Sequence, residues 1–247
     1  MKSATLNLPD SAKFRGAVQL IHTLQKQGYQ AHLAGGSVRD LLLGRQPKDY
    51  DLATNATPDL IESIFPQTIP LGKQFGIILV LHGRHRYEVA TFRTESGYHD
   101  RRRPSRVAWT DAREDALRRD FTINGLFLDP TTGQIFDFVK GTRDLQAQVV
   151  RFIGDAHHRI QEDPLRLLRA VRLKNALRFQ YDPTTYQALR RQARLLSHVT
   201  PERIREELER MWSDRARAQS LRELADLGFL DVILPEVSQL RGVPQPA

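Results

Sequence analysis

The sequence predicts an α+β fold in two parts: a mixed α/β domain with a mixed β-sheet over residues 1–150, then an all-helical domain over 151–247. Three observations carry this. The runs Gly76–Leu81 and Arg86–Phe92 are rich in β-branched and apolar residues and flank a turn at Gly83, the pattern of a hairpin. The pair Gly35-Gly36 stands between a strand-like run and a helix-like one. From about Asp155 onward the apolar spacing is helical, with segments over 163–178, 183–195, 200–211 and 216–227.

The elements follow in order. Leu20, Ile21 and Leu24 fit one face of a helix, with Asp10 or Ser11 as its cap after Pro9. Gln30–Ala34 reads as a strand, and Gly35-Gly36 opens a short helix through Leu43 that Gly44 ends. Tyr50–Ala53 is strand-like, and Thr57-Pro58-Asp59 starts another helix with proline at its first position. After the hairpin, residues 93–110 are polar and charged and read as a long loop, a class of segment that is usually functional or disordered. Asp111 with Glu114 has capping-box spacing for the next helix. A second hairpin spans Leu126–Phe138, turning at Asp129-Pro130-Thr131-Thr132-Gly133. The ending Gly242-Val243-Pro244-Gln245-Pro246-Ala247 reads as a linker.

Composition narrows the function classes. There are no cysteines, which excludes disulfides and thiolate metal sites; the eight histidines show no H-E-x-x-H spacing. No apolar run approaches membrane-spanning length and the first residues lack a hydrophobic signal core, so the default compartment is cytoplasmic. Lys and Arg number 37 against 29 Asp and Glu, a net charge of +8, and the cations cluster in Arg84-His85-Arg86, in Arg101, Arg102, Arg103 and Arg106, and from Arg166 through Arg178. Clustered cations are rewarded on a phosphate backbone, so the sequence points to an RNA or DNA partner ahead of a membrane.

Asp49 and Asp51 flank Tyr50. On a strand, residues i and i+2 leave the same face, which brings two like charges together. That is costly unless a cation sits between them, and Mg²⁺ suits two carboxylates completed by substrate phosphate oxygens. The same pattern also occurs at solvated strand ends, so the context matters. Gly35 and Gly36 precede a helix N-terminus, where free amides attract phosphate. Glu88, on the hairpin, is a candidate third carboxylate. In Leu117–Asn124, Arg119 can clamp a triphosphate and Asp120 can accept a ribose hydroxyl; the same run also fits an exposed helix end with an i,i+1 charge pair. In Glu162-Asp163-Pro164-Leu165-Arg166, the i,i+3 and i,i+4 spacings bring Asp163, Glu162 and Arg166 to one helix face, which fits a plain helix salt bridge and N-cap or a base-recognition set. A carboxylate that accepts from an amino group, beside a guanidinium that donates to a ring nitrogen, admits cytosine and adenine and rejects guanine and uracil.

Four segments together resemble the signatures of class II tRNA nucleotidyltransferases, the family of CCA-adding enzymes and bacterial poly(A) polymerases. They are Leu33–Gly44, Lys48–Leu52, Arg118–Leu126 and Glu162–Arg172, with a weaker match over Thr200–Leu208. The chain is most like the head and neck of a bacterial CCA-adding enzyme. The resemblance implies a polymerase-β-like nucleotidyltransferase head and a helical neck for base recognition and RNA contact. It implies Asp49 and Asp51 as metal ligands, with Glu88 beside them as catalytic, and Arg119, Asp120 and Asn124 on triphosphate and ribose. Asp163 and Arg166 become the protein template for the base. Gly35, Gly36, Arg39 and Arg169 join the nucleotide contacts, and Arg172 joins Arg101, Arg102 and Arg103 on RNA. Residues 93–110 resemble the family's flexible loop, and Asp137, Gly141 and Asp144 its hinge. Gly125 stands where Ala or Ser is more usual, and members continue past this chain's end into helical domains that grip the tRNA elbow.

The expected activity is addition of C, C and A to the tRNA 3′ end from CTP and ATP, with Mg²⁺ as cofactor in a two-metal nucleotidyl transfer that releases pyrophosphate. Poly(A) polymerisation, and addition of CC only or A only, are the alternatives within the family.

Overall fold

The computed structural model describes residues 8–97, 105–240 and 242–243. Two compact units divide them, one up to residue 146 and one from 147 onward.

The first unit opens with α1 (Ala12–Lys26), whose Ser11 cap accepts from the Phe14 amide at 3.1 Å. Its apolar stripe of Phe14, Ala17, Leu20, Ile21 and Leu24 is buried against the sheet. Then come β1 (Ala31–Ala34), α2 (Gly36–Leu42), β2 (Asp51–Thr54), α3 (Pro58–Ile64), β3 (Thr68–Gly72), β4 (Ile77–His82) and β5 (His85–Thr91). Next are β6 (Arg93–Ser96), β7 (Arg106–Trp109), α4 (Ala112–Leu117), β8 (Leu126–Leu128), β9 (Ile135–Asp137) and α5 (Gly141–Gln146). Seven strands form one sheet in the order β3-β4-β5-β2-β1-β8-β9; β2 and β5 run parallel and the other neighbours antiparallel. β1 lies between β2 and β8 and is buried along its whole length. Phe92 and Phe127 meet edge to face at 5.7 Å in the core beside Ala34, Ala53, Ala112 and Ala116.

Two expectations need correction. Residues 93–110 are not all loop: β6 and β7 pair antiparallel from Arg93–Trp109 to Ser96–Arg106. β6 is polar throughout and β7 is a consecutive Val-Ala-Trp run after Arg106, so neither shows apolar alternation. The segment between the two strands, with Arg101, Arg102 and Arg103, lies outside the described residues. The strand β3 carries no clear sequence pattern, because Pro70 and Gly72 interrupt it; it is an edge strand with a register shift between Ile69 and Gly72, and proline fits both an edge and a bulge.

Asp137 fixes the start of α5, accepting from the amides of Val139, Gly141 and Thr142 and from the Thr142 hydroxyl. Asp144 accepts from the Thr122 hydroxyl at 2.7 Å. A Cβ at Gly141 would overlap the Thr122 carbonyl oxygen, a backbone atom that cannot swing away. Gly141→Ala is therefore expected to lower unfolding stability by about 1–3 kcal/mol in urea titration, as overpacking does.

The second unit holds β10 (Val149–Val150), α6 (Ala156–Glu162), α7 (Arg166–Leu177), β11 (Gln180–Tyr181), α8 (Pro183–Gln192), α9 (Pro201–Trp212), α10 (Arg217–Asp226), α11 (Leu230–Ile233) and α12 (Pro235–Ser238). It is helical apart from the parallel pairing of β10 with β11. α7 buries Leu167, Leu168, Val171 and Leu177 and packs against α9 and α10. No helix among the described residues is long and apolar enough to cross a membrane.

Candidate active site

In the first unit the site is built at the start of β2 and at the turn that enters α2. Gly35 caps α2 with φ 69° and ψ −130°, a backbone shape that favours glycine. Its amide donates to the Leu126 carbonyl at 3.0 Å, which ties the turn to the sheet. Arg39 lies one turn further on. It grips Asp40 Oδ1 with Nε and Nη2, at 2.9 and 2.8 Å, and gives Nη1 to Asn124 Oδ1 at 2.7 Å. Asn124 Nδ2 then donates to Asp120 Oδ1 at 3.1 Å. Arg39, Asn124 and Asp120 thus form one continuous polar chain, with Asp120 and Asn124 buried. Asp120 and Asn124 are buried and hydrogen-bonded, so this run is not an exposed helix end.

Arg119 is fixed separately. Its Nε and Nη2 bond Asp115 Oδ2 at 3.1 and 2.9 Å, and its guanidinium lies 4.9 Å from the centre of the Phe127 ring. Asp115 takes Arg118 and the Arg93 amide on its other oxygen. Arg118 also bonds Glu95, which holds Arg93 in turn. One ionic network therefore joins the base of the β6–β7 hairpin to Arg119. Burial works to raise the Asp115 carboxyl, but Arg119 and Arg118 overcome it and hold it below its ordinary value. Asp115 was not read as a site residue. Its signal was the i,i+3 and i,i+4 spacing to two arginines, which a run of acids at a helix start obscured.

The carboxylate pair departs from the strand argument. β2 begins at Asp51, and Asp49 lies in the irregular segment before it, so alternation along one strand does not place the two together. Glu88 does lie beside Asp51: β2 and β5 pair Leu52 with Val89, one residue further on in each strand. Asp51 is exposed to solvent at the start of β2, with the rest of the strand buried behind it. Desolvation, and then the Glu88 charge, push its carboxyl up to about 6, against the pull of Arg119. Asp49 is exposed and receives the Lys13 ammonium at 2.6 Å. A cation already stands at one carboxylate, and the other resists carrying charge without one. That donor chemistry fits a hard divalent ion. Among the described residues no three His, Asp or Glu side chains converge as a ready-made ligand set, so the remaining positions would fall to substrate oxygens and water.

The second unit presents the other set. Asp163 sits in the bend between α6 and α7, with φ −148° and ψ 99°, and not on the first helical turn as the spacing implied. Pro164 breaks the helix there. Both of its oxygens face Arg203 of α9, at 3.0 and 2.8 Å, and the Leu165 amide donates to Oδ1 at 3.1 Å. Arg166 gives Nη1 to Glu162, at the expected i,i+4 spacing, and to the Arg159 carbonyl, both at 2.6 Å. Asp163 and Arg166 are thus each held by a partner of opposite charge. Arg203 lies forty residues from Asp163, beyond any local spacing rule. Nearby on α7 and α9, buried Glu207 binds Arg172 at 2.6 Å and Arg210 at 3.2 Å, with Arg169 at 3.9 Å.

The sequence matches two family models: the poly A polymerase head domain over residues 31–151, and the probable RNA and SrmB-binding site of polymerase A over 178–240. The chain belongs to the poly(A) polymerase and tRNA nucleotidyltransferase family. Within that family it is 43% identical over 212 residues to the CCA-adding enzyme of Bacillus pumilus, covering 85% of this chain and 53% of that protein. It is 44% identical over 205 residues to the enzyme of Lactobacillus helveticus, covering 83% and 51%. The solved CCA-adding enzyme of Bacillus stearothermophilus in complex with CTP superposes with a TM-score of 0.83 and 37% identity, over 94% of this chain and 57% of that one. The Thermotoga maritima enzyme complexed with tRNA gives 0.74 and 26%, over 92% and 54%. The chain spans about half the length of the curated relatives it matches.

Proposed function

We propose that this chain carries out nucleotidyl transfer to the tRNA 3′ end, adding C, C and A from CTP and ATP with release of pyrophosphate. The observation that carries the reading is the Arg39–Asn124–Asp120 chain, with Asn124 and Asp120 buried, in the same unit as the carboxylates at the start of β2. It sets polar recognition groups and a pair of cation ligands in one unit. Support comes from relatives whose structures hold CTP, ATP or tRNA.

In this reading residues 1–150 act as the nucleotidyltransferase head and 151–247 as the neck. Asp120 and Asn124 take the ribose, and Arg119 and Arg39 neutralise the triphosphate, with Gly35 and Gly36 leaving backbone open to its oxygens. Asp163 and Arg166 select the base, and Arg169 contributes to the nucleotide contacts. Arg172, with the clustered Arg101, Arg102 and Arg103, lies on RNA phosphates. Asp49 and Asp51 would hold Mg²⁺, with Glu88 beside them. When bound, the ion supplies Lewis-acid polarisation of oxygen and neutralises developing charge. The transfer itself joins the RNA 3′ oxygen to the α-phosphorus, breaks the bond to the β-phosphate oxygen and passes the hydroxyl proton to solvent. The cytoplasm, where tRNA is made, is the compartment that fits.

The name of the matched head-domain model favours one second reading, homopolymer A addition. Incubation with Mg²⁺, tRNA lacking its 3′ CCA and each labelled nucleotide separates the two. Use of both CTP and ATP is the expected result; ATP-only tailing supports the second reading, and no incorporation refutes both.

A further inference from the structure

Lys13 is the second residue of α1, and its backbone is pinned. The Tyr87 hydroxyl, from β5, donates to the Lys13 carbonyl at 2.8 Å. Gly16 lets that hydroxyl in, since a Cβ there would overlap its oxygen. Phe14 meets Tyr50 edge to face at 5.4 Å, which sets α1 against the segment that holds Asp49. The Lys13 side chain is 28% exposed, and its ammonium donates to the Lys48 carbonyl and to Asp49 Oδ1, both at 2.6 Å. A surface lysine gains little from an ion pair because it must give up many rotamers to hold it. Here the helix start is fixed and a carbonyl shares the ammonium, so the cation is directed at Asp49. Its charge also reaches Asp51, where it opposes the desolvation and the Glu88 charge that push that carboxyl up.

An ammonium and a hard divalent ion seek the same carboxylate oxygens, and they repel each other. We propose that Lys13 competes with the divalent ion for Asp49: the ion binds by displacing the ammonium, so this lysine raises the metal concentration that the carboxylates need. The inference rests on the proposed role of Asp49 as a Mg²⁺ ligand. It adds a residue that lies before the matched head-domain region, residues 31–151.

Binding of Mn²⁺ to the full chain without nucleotide tests it, with the free ion counted by electron paramagnetic resonance. Mn²⁺ takes the same hard oxygen ligands as Mg²⁺. Lys13→Met keeps the apolar stem and removes the charge. It is expected to tighten Mn²⁺ by about fivefold, the upper end of what an exposed ion pair is worth. Lys13→Arg keeps a cation and should stay within about twofold of the parent. Lys73→Met removes the same charge from a pairing with Asp59 and Glu62 elsewhere in this unit, and should change nothing. Parental affinity in Lys13→Met would overturn the inference. An equal gain in Lys73→Met would also overturn it, as an effect of net charge alone, and so would an equal gain in Lys13→Arg, as an effect of shape. Mn²⁺ bound by neither the parent nor Lys13→Met removes the reading of Asp49 and Asp51 as ligands, and this inference with it. Should Lys13→Met not fold, Lys13→Gln answers the same question with the same expected gain.

Discussion

Asp51→Asn should abolish incorporation, lowering the rate by at least about 10³-fold, while leaving the fold intact and the protein slightly more stable at neutral pH. The two effects have one cause. In the folded chain desolvation, and then the charge of the neighbouring Glu88, push the Asp51 carboxyl up to about 6 from an ordinary 3.8. Between those values the folded state binds more protons than the unfolded one, so this group's contribution to stability falls as pH rises from about 4 to 6. Above pH 6 folding must hold a carboxylate in a place that disfavours charge. Asn removes that cost, so the melting temperature of the variant should exceed that of the parent at pH 7, with the gap closing as pH is lowered through 6 toward 4. In the parent, Mg²⁺ affinity should fall over the same descent, because the ligand is being protonated. Thermal melts from pH 4 to 8, paired with activity at pH 7.5, read both effects. A variant both inactive and destabilised at neutral pH would contradict this account of the site.

The second large effect concerns base selection. Asp163→Asn replaces an acceptor pair with one acceptor and one donor and breaks the fork to Arg203. A carboxylate that meets the amino group of cytosine or adenine would meet a carbonyl oxygen at the same position of uracil or guanine, and two facing acceptors do not pair. The Asn amide can turn a donor toward the carbonyl of uracil or guanine. Discrimination in kcat/KM for CTP and ATP over UTP and GTP should therefore fall by about 10²-fold, with CTP and ATP use themselves reduced. Single-nucleotide incorporation with each of the four triphosphates measures this. Unchanged selectivity would remove Asp163 from base reading.

Much of this was legible in the residues, and the failures have physical reasons. Helices announced by a cap and an apolar stripe, such as α1 behind Ser11 and α4 behind Asp111, form where the spacing placed them. The hairpin of β4 and β5 and the turn at Gly35 follow equally local rules. Local rules failed where distant partners decide. β6 carries polar side chains, and its residues are held by Asp115 of α4 and by Arg118 just after it. Asp163 sits in a bend that Pro164 creates, and its orientation depends on Arg203. Asp49 lies just short of the strand that was to carry it, and its neighbour Lys13 comes from α1. Residue type and order gave the candidate site residues; which partner holds each charged group required the fold.

The central claim is untemplated extension of an RNA 3′ end. The most direct measurement is to sequence the 3′ termini of tRNA lacking its CCA after incubation with this chain, Mg²⁺ and all four nucleoside triphosphates. The account predicts termini extended by C, C and A and by nothing further, and no extension with Asp51→Asn. Termini left unextended by the parent chain, or extended to the same degree by the Asp51→Asn variant, would contradict it.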